Sequence, residues 1–350
     1  LDFLPKGNTE QTPVLYSDLH FDLSITNVVG NQLFNTNTNN DIKADYDLGF
    51  SKISLSARQN TGTTEYINFG SFVSQDFKNQ LLNFVADGNI SSSLSSKIRI
   101  SQMIDNIDQN DSHSLARTKQ QQADWQNTFA VSPNLTLVGG FTQTRTQAEY
   151  NTSYDKERDN WAAYLQQQSQ FGQISTQVSL RHEDYDFFVC LNTGNLALGF
   201  AINEKNRLYA NYGTAFKAPD LNQLYGFGGN PLLNPEESTS VEIGSKHTLG
   251  AIFINTAFFQ TKIDHLISSV ITGTVPNPYY NPAKPTTWSN SPTNDVYTNL
   301  NIDKASIKGV ELAIKWQQDG LFAGANGSYT HAQNDTSKDD LLRRPRRSLT

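Results

Sequence analysis

The sequence predicts an all-β protein, an antiparallel transmembrane β-barrel, on three observations. Apolar and polar residues alternate with period two in segment after segment. The connections between those segments alternate between short and long. The composition combines aromatic and uncharged polar residues with little charge: 17% of the 350 residues are charged and 37% hydrophobic, yet Phe and Tyr number 20 and 14. Disordered chains carry high net charge and few aromatics, whereas a barrel with a wet interior and an aromatic-belted exterior needs this mixture. On composition alone a soluble β-sandwich or β-helix stays open.

Along the chain, Ile98 and Ile100 oppose Lys97, Arg99 and Ser101, and Leu135, Leu137 and Phe141 oppose Thr136 and Thr142. Ile174, Thr176, Val178 and Leu180 oppose Ser175, Gln177, Ser179 and Arg181. Val310, Leu312, Ile314 and Trp316 oppose Glu311, Ala313 and Lys315. A period of two marks strands with one apolar face; amphipathic helices repeat every three or four residues, and none is visible. Short connections are expected near 93–96, 132–134, 171–173, 203–206, 248–250 and 319–320. Long ones are expected near 62–75, 105–118, 147–157, 182–190, 216–236, 268–303 and 331–342. Short turns at one end and long loops at the other are the habit of outer-membrane barrels. Counting between connections predicts about fourteen or fifteen strands. The segment 27–45 is ambiguous, and its Asn/Thr run at 35–40 reads as an insertion.

Tyr209, Tyr212, Phe258, Phe259, Trp161 and Trp316 suit an interfacial girdle, or the packing of a soluble core. No stretch of eighteen apolar residues is present, which excludes a spanning helix but not barrel strands of about ten residues. Cys190 is the sole cysteine, so neither an internal disulfide nor a multi-cysteine zinc site can form; it reads as a small buried or lipid-facing thiol. A net charge of −7 argues against nucleic-acid binding, and Arg343, Arg344, Arg346 and Arg347 read as a rim or solvated cluster. The six histidines form no HExxH pattern, and no nucleophile triad, P-loop or dinucleotide motif is present; no feature points to an enzyme.

One segment carries a family likeness. YGTAFKAPDLNQLYGFGGNPLLNPEES, residues 212–238, resembles the barrel signature of TonB-dependent outer-membrane receptors, reading as a strand, a long Gly/Pro/Asn loop and a second strand. QLYGF at 223–227 and Asn230-Pro231 are most similar to the cobalamin receptors of that family. IDHLI at 263–267, IKGVELA at 307–313 and LLRR at 341–344 extend the likeness over nearly the whole chain. The resemblance implies an outer-membrane importer: a 22-stranded barrel whose lumen holds an N-terminal plug, energised through TonB. Residues 1–350 then read as part of the barrel domain, without the plug and the last strands. The opening LDFLPKGNTE and the ending RRPRRSLT fit a piece of a longer protein. Related readings are a siderophore or haem receptor of the same fold, and, from other classes, a passive porin or a soluble adhesive β-protein.

Asp2 and Asp18 flank one early loop, and Glu65 and Asp76 flank the next. Carboxylates on neighbouring loops repel one another unless a cation sits between them, and calcium accepts six to eight oxygens in flexible geometry. By resemblance to the cobalamin receptors, all four fall at calcium-ligand positions that order the substrate-binding loops. Tyr16 and Glu65 depart from the aspartates expected there, so one ion, two or none are open, as is the reading of solvated loop acids. By the same resemblance Ser114 and Arg343 contact the corrinoid, an arginine and a hydroxyl suiting its amide and phosphate groups; a loop serine and a rim arginine are the plain alternative. Asp105, Asp108 and Asp111 lack the glycine and terminal glutamate of an EF-hand and read as a solvated apex.

Overall fold

Strand follows strand through the described residues, because period-two alternation leaves each segment one apolar face and a backbone that only a neighbouring strand can satisfy. The computed structural model describes residues 19–30, 33–68, 71–186, 188–284, 290–341 and 344–350. Two compact units emerge: Leu1–Thr128 with Thr142–Thr146, and Phe129–Phe141 with Gln147–Thr350. Among the described residues no helix is long and apolar enough to cross a membrane.

In the first unit β1 (Leu19–Gly30), β2 (Leu33–Asp47), β3 (Ser51–Asn68), β4 (Ser71–Asn89) and β5 (Leu94–Gln109) pair antiparallel, each with the next. β6 (Ser114–Ser132) and β7 (Leu135–Tyr150) are each divided between the two units. In the second unit β8 (Tyr154–Phe171), β9 (Ile174–Tyr185), β10 (Phe188–Asn203), β11 (Asn206–Lys217), β12 (Glu236–Leu249), β13 (Ile252–Pro276), β14 (Thr293–Gln318), β15 (Leu321–Asn334) and β16 (Arg347–Leu349) pair in the same way. Among the described residues one five-residue helix, α1 (Leu221–Tyr225), interrupts the strands.

The sixteen strands among the described residues exceed the fourteen or fifteen counted from sequence. The ambiguous segment is the β1–β2 hairpin, and the Asn/Thr run is part of β2, with Asn37 opposite Thr26 on one side and Gly62 on the other. Asn is a poor strand former in isolation, but ladders on both edges satisfy its backbone.

Five of the six short connections fall within a residue or two of their expected places, the β4–β5 turn lies at 90–93 and not at 93–96, and several carry left-handed backbone. Gly172 has φ 56°, Gly250 φ 63°, and Asp319 and Gly320 φ 51° and 79°. Two consecutive positive φ values mark the primed turn whose twist matches the flanking strands. Most of the long connections are shorter than expected, and the last is shifted, lying at 335–346 and not at 331–342. β3 and β4 stay paired to Asn68 opposite Ser71, inside the region read as a 62–75 loop. Beyond the apolar zone the alternation fades, yet antiparallel pairing continues wherever both faces meet water.

The register sorts each unit into rows. In the first, Tyr46–Ile53–Ala86–Ile98, Ala44–Leu55–Phe84–Ile100 and Ile42–Ala57–Leu82–Gln102 stand directly opposite one another. Above them, toward the 69–70 connection, come Asn40–Gln59–Gln80–Ile104, then Thr38–Thr61–Lys78–Asn106, then Thr36–Thr63–Asp76–Asp108. In the second unit the same face carries Ile254–Ile314–Ala325, Thr256–Leu312–Gly327 and Ile243–Phe258–Val310–Tyr329. These apolar side chains lack protein cover: Ile100 is 53% exposed and Phe258 61%. An apolar sheet face this extensive and this uncovered suits hydrocarbon, not water. The opposite face carries Arg181, Glu183, Asn211, Glu242, Lys246, Glu311 and Lys315, as a wet interior requires.

Candidate ligand site at the loop end

The second unit builds a folded cap between β11 and β12. Asp220 caps α1: its carboxylate accepts from Gln223 N (2.7 Å) while Gln223 Oε1 accepts from Asp220 N (3.0 Å), a capping box closed in both directions. Leu221, Leu224 and Leu233 bury against Ala148 of β7, with Tyr154, Tyr225 and Ile267 at the edge. Burial, and next the charge of Asp220, hold the Tyr154 phenol above the ordinary tyrosine pKa.

β13 and β14 rise past their neighbours, running as a two-stranded ribbon from Leu266 opposite Asp303 to Pro276 opposite Thr293. An unpaired edge needs partners, and the cap supplies them. Asn299 N donates to Gly228 O (2.8 Å), Asn299 O accepts from Asn230 Nδ2 (3.0 Å), and Asn299 Nδ2 donates to Gln223 O (3.1 Å). Asn301 Oδ1 accepts from Asn234 N (2.8 Å), and its Nδ2 donates to Asn234 O (2.9 Å) and His265 O (2.7 Å). Gly228, at φ 67°, lies so close that an added Cβ would meet Tyr297 O at 3.0 Å; this approach requires glycine.

Beneath the cap, Arg181, Glu183 and Tyr185 project from one face of β9. Glu183, 7% exposed, accepts from Arg181 Nε (2.7 Å), Tyr185 OH (2.7 Å) and Asn160 Nδ2 (3.0 Å). The Arg158 guanidinium lies 5.2 Å over the Tyr185 ring and donates through Nη1 to Pro219 O (2.6 Å). Arg158 thereby ties the start of the cap to the barrel wall. Two arginines around one carboxylate leave the wall cationic, suited to holding an anionic or amide-rich solute by hydrogen bonds. Sequence reasoning missed this group, although Arg181, Glu183 and Tyr185 at spacing two already declared a shared face.

Of the sequence-derived candidates, Asp2, Asp18 and Arg343 lie outside the described residues. Glu65 and Asp76 sit on strands: Glu65 faces Ser74 and Asp76 faces Thr63, making them diagonal neighbours on one face. Asp76 Oδ1 accepts from Thr63 Oγ1 (2.6 Å), and Asp108 stands directly across from Asp76. Among the described residues no three His, Cys, Asp or Glu side chains gather closely enough to hold a metal, so Glu65 and Asp76 offer part of a ligand set at most. Ser114 opens β6 with its hydroxyl buried and accepting from Ser112 Oγ (2.8 Å). Asp111, in the β5–β6 connection, accepts from Ser74 N of β4 (2.8 Å), which ties that connection to the neighbouring β3–β4 hairpin. Cys190 is exposed, not buried.

The family model for the TonB dependent receptor-like β-barrel matches residues 3–350. The chain belongs to this family. As a TonB-dependent receptor barrel it is an outer-membrane protein, and its uncovered apolar face is the membrane face. It is 30% identical over 304 residues to a vitamin B12 transporter, BtuB, of Photobacterium profundum, and 28% identical over 232 residues to that of Vibrio vulnificus. These matches span 85% and 65% of the chain but 48% and 35% of the relatives, so the receptor chain spans about half the length of the first and less of the second. Among solved structures, a mutant ferric enterobactin receptor (PfeA) of Pseudomonas aeruginosa is similar with a TM-score of 0.77 at 15% identity, over 91% of this chain and 54% of that one. That likeness concerns the fold alone.

Proposed function

We propose that the full-length receptor imports cobalamin or a related corrinoid across the outer membrane, driven through TonB. The observation that carries this reading is the 30% identity over 304 residues to a protein named for vitamin B12 transport. The loop end supports it with a prebuilt cap between β11 and β12 and a cationic, amide-bearing wall beneath. In this reading Ser114 and Arg343 contact the corrinoid; within the second unit, the cap and the Arg158–Glu183–Tyr185 wall keep hydrogen-bonding groups in a fixed arrangement. A plug domain, implied by the family likeness, transmits the TonB-derived force that opens the path.

Glu65 and Asp76, together with Asp2 and Asp18, would hold calcium, which would neutralise carboxylates that otherwise repel across the β3–β5 hairpins. Titration of detergent-solubilised full-length receptor with cyanocobalamin, with calcium and with chelator, tests both parts. Tight binding that weakens on chelation is expected. Binding of a ferric chelate with none of cyanocobalamin would overturn the substrate, and binding indifferent to chelator would overturn the calcium sites alone.

A further inference from the structure

On the membrane face of the first unit, polarity changes abruptly between adjacent rows of β2, β3 and β4, while on β5 the order is reversed, with Gln102 below Ile104. Ile42, Ala57 and Leu82 lie directly below Asn40, Gln59 and Gln80, and Lys78 stands one row further out, opposite Thr61 and Asn106. Rows are about 7 Å apart along the strand. A shallow concavity of about 370 Å³ opens at this change, with Ala57 as its small floor residue and Gln102 at its side.

The amides there are only half satisfied. Gln80 Nε2 donates to Gln59 Oε1 at 3.0 Å, which leaves the Gln59 amide hydrogens and Gln80 Oε1 without a protein partner among the described residues. Against hydrocarbon, an unmatched donor beside an unmatched acceptor is costly. Lys78 likewise has no ion pair or hydrogen bond among the described residues. The surface therefore asks, in order outward, for an aliphatic chain, a group offering both an acceptor and a donor, and an anion one row above.

We propose that this concavity seats one outer-leaflet lipid with an amide-linked acyl chain and a phosphate headgroup. The chain lies on Ile42, Ala57 and Leu82. The linkage carbonyl accepts from Gln59, and the linkage N–H donates to Gln80. The phosphate meets the Lys78 ammonium. An ester linkage has no N–H and leaves Gln80 Oε1 unmatched, so amide-linked lipid is preferred over ester-linked phospholipid. Asp76 and Asp108 in the next row limit the headgroup: a second phosphate at that level needs a divalent cation between them.

Native mass spectrometry of the full-length receptor in detergent tests this, titrating a phosphorylated glycolipid with amide-linked chains against ester-linked phosphatidylglycerol. One glycolipid adduct is expected to persist at activation energies that strip phosphatidylglycerol. Ala57→Phe, which fills the floor, and Gln80→Leu, which removes the acceptor, should each lower its occupancy about tenfold. Lys78→Gln should weaken both lipids. Ala210→Phe, on the membrane face of the second unit, controls for added bulk and should change nothing. Equal retention of the two lipids by the wild type, or adduct patterns unchanged in Ala57→Phe and Gln80→Leu, would overturn the proposal.

Discussion

The two units finish their loop ends in opposite ways. In the first, β3 and β4 simply stay paired to Asn68 and Ser71, and their acidic side chains are carried on strands. In the second, the β11–β12 connection folds into a cap with its own small core, a closed capping box and an asparagine ladder along the β14 edge. One end is held by its own packing; the other leaves like charges facing each other, with Asp76 opposite Asp108. A receptor can keep a preformed wall and a charge-controlled loop in one chain only if different forces order them: apolar burial and a dense set of hydrogen bonds in the cap, electrostatics in the hairpins.

The sharpest way to break that contrast is to empty the cap's core. Leu224, 2% exposed, should on substitution by Ala cost about 2–4 kcal/mol of local stability. Hydrogen exchange across 221–234 would accelerate while β11 and β12 stay protected. Asn301→Leu, which removes three hydrogen bonds to Asn234 and His265, should cost about 1–3 kcal/mol in the same readout. Glu183→Gln weakens the charge-assisted bond with Arg181 and should cost about 1–2 kcal/mol in thermal unfolding of the refolded barrel. Smallest is Asp76→Asn: without calcium it relieves repulsion from Asp108 and should change stability by about 0.5 kcal/mol or less, whereas with calcium it should remove any calcium-dependent gain in corrinoid affinity.

Period-two alternation made the strands legible, and Gly, Asn and Asp made the short turns legible, because each of those signals has a local cause. The loop-end ladders were not legible. Once both faces are wet, Thr, Asn, Glu and Ser at 60–76 carry no apolar alternation, and only the neighbouring strand determines their pairing. Within the 212–238 signature the family likeness was readable but α1 was not, although Asp220 and Gln223 at capping-box spacing were its signal. The Arg158–Glu183–Tyr185 wall was half readable: β9 spacing placed Arg181, Glu183 and Tyr185 together, but Arg158 joins them only through the β8–β9 register, with Asn160 opposite Tyr185. Glu65 and Asp76 were recognised as a pair by likeness, and the β3–β4 register does make them diagonal neighbours.

The contrast between a self-supporting cap and a charge-controlled hairpin is tested most directly by hydrogen exchange on the full-length receptor, with calcium present or chelated and no corrinoid added. The account predicts that 221–234 is protected under both conditions, while 62–76 gains protection only with calcium. Rapid exchange throughout 221–234 without calcium, or protection of 62–76 that ignores it, would contradict the account.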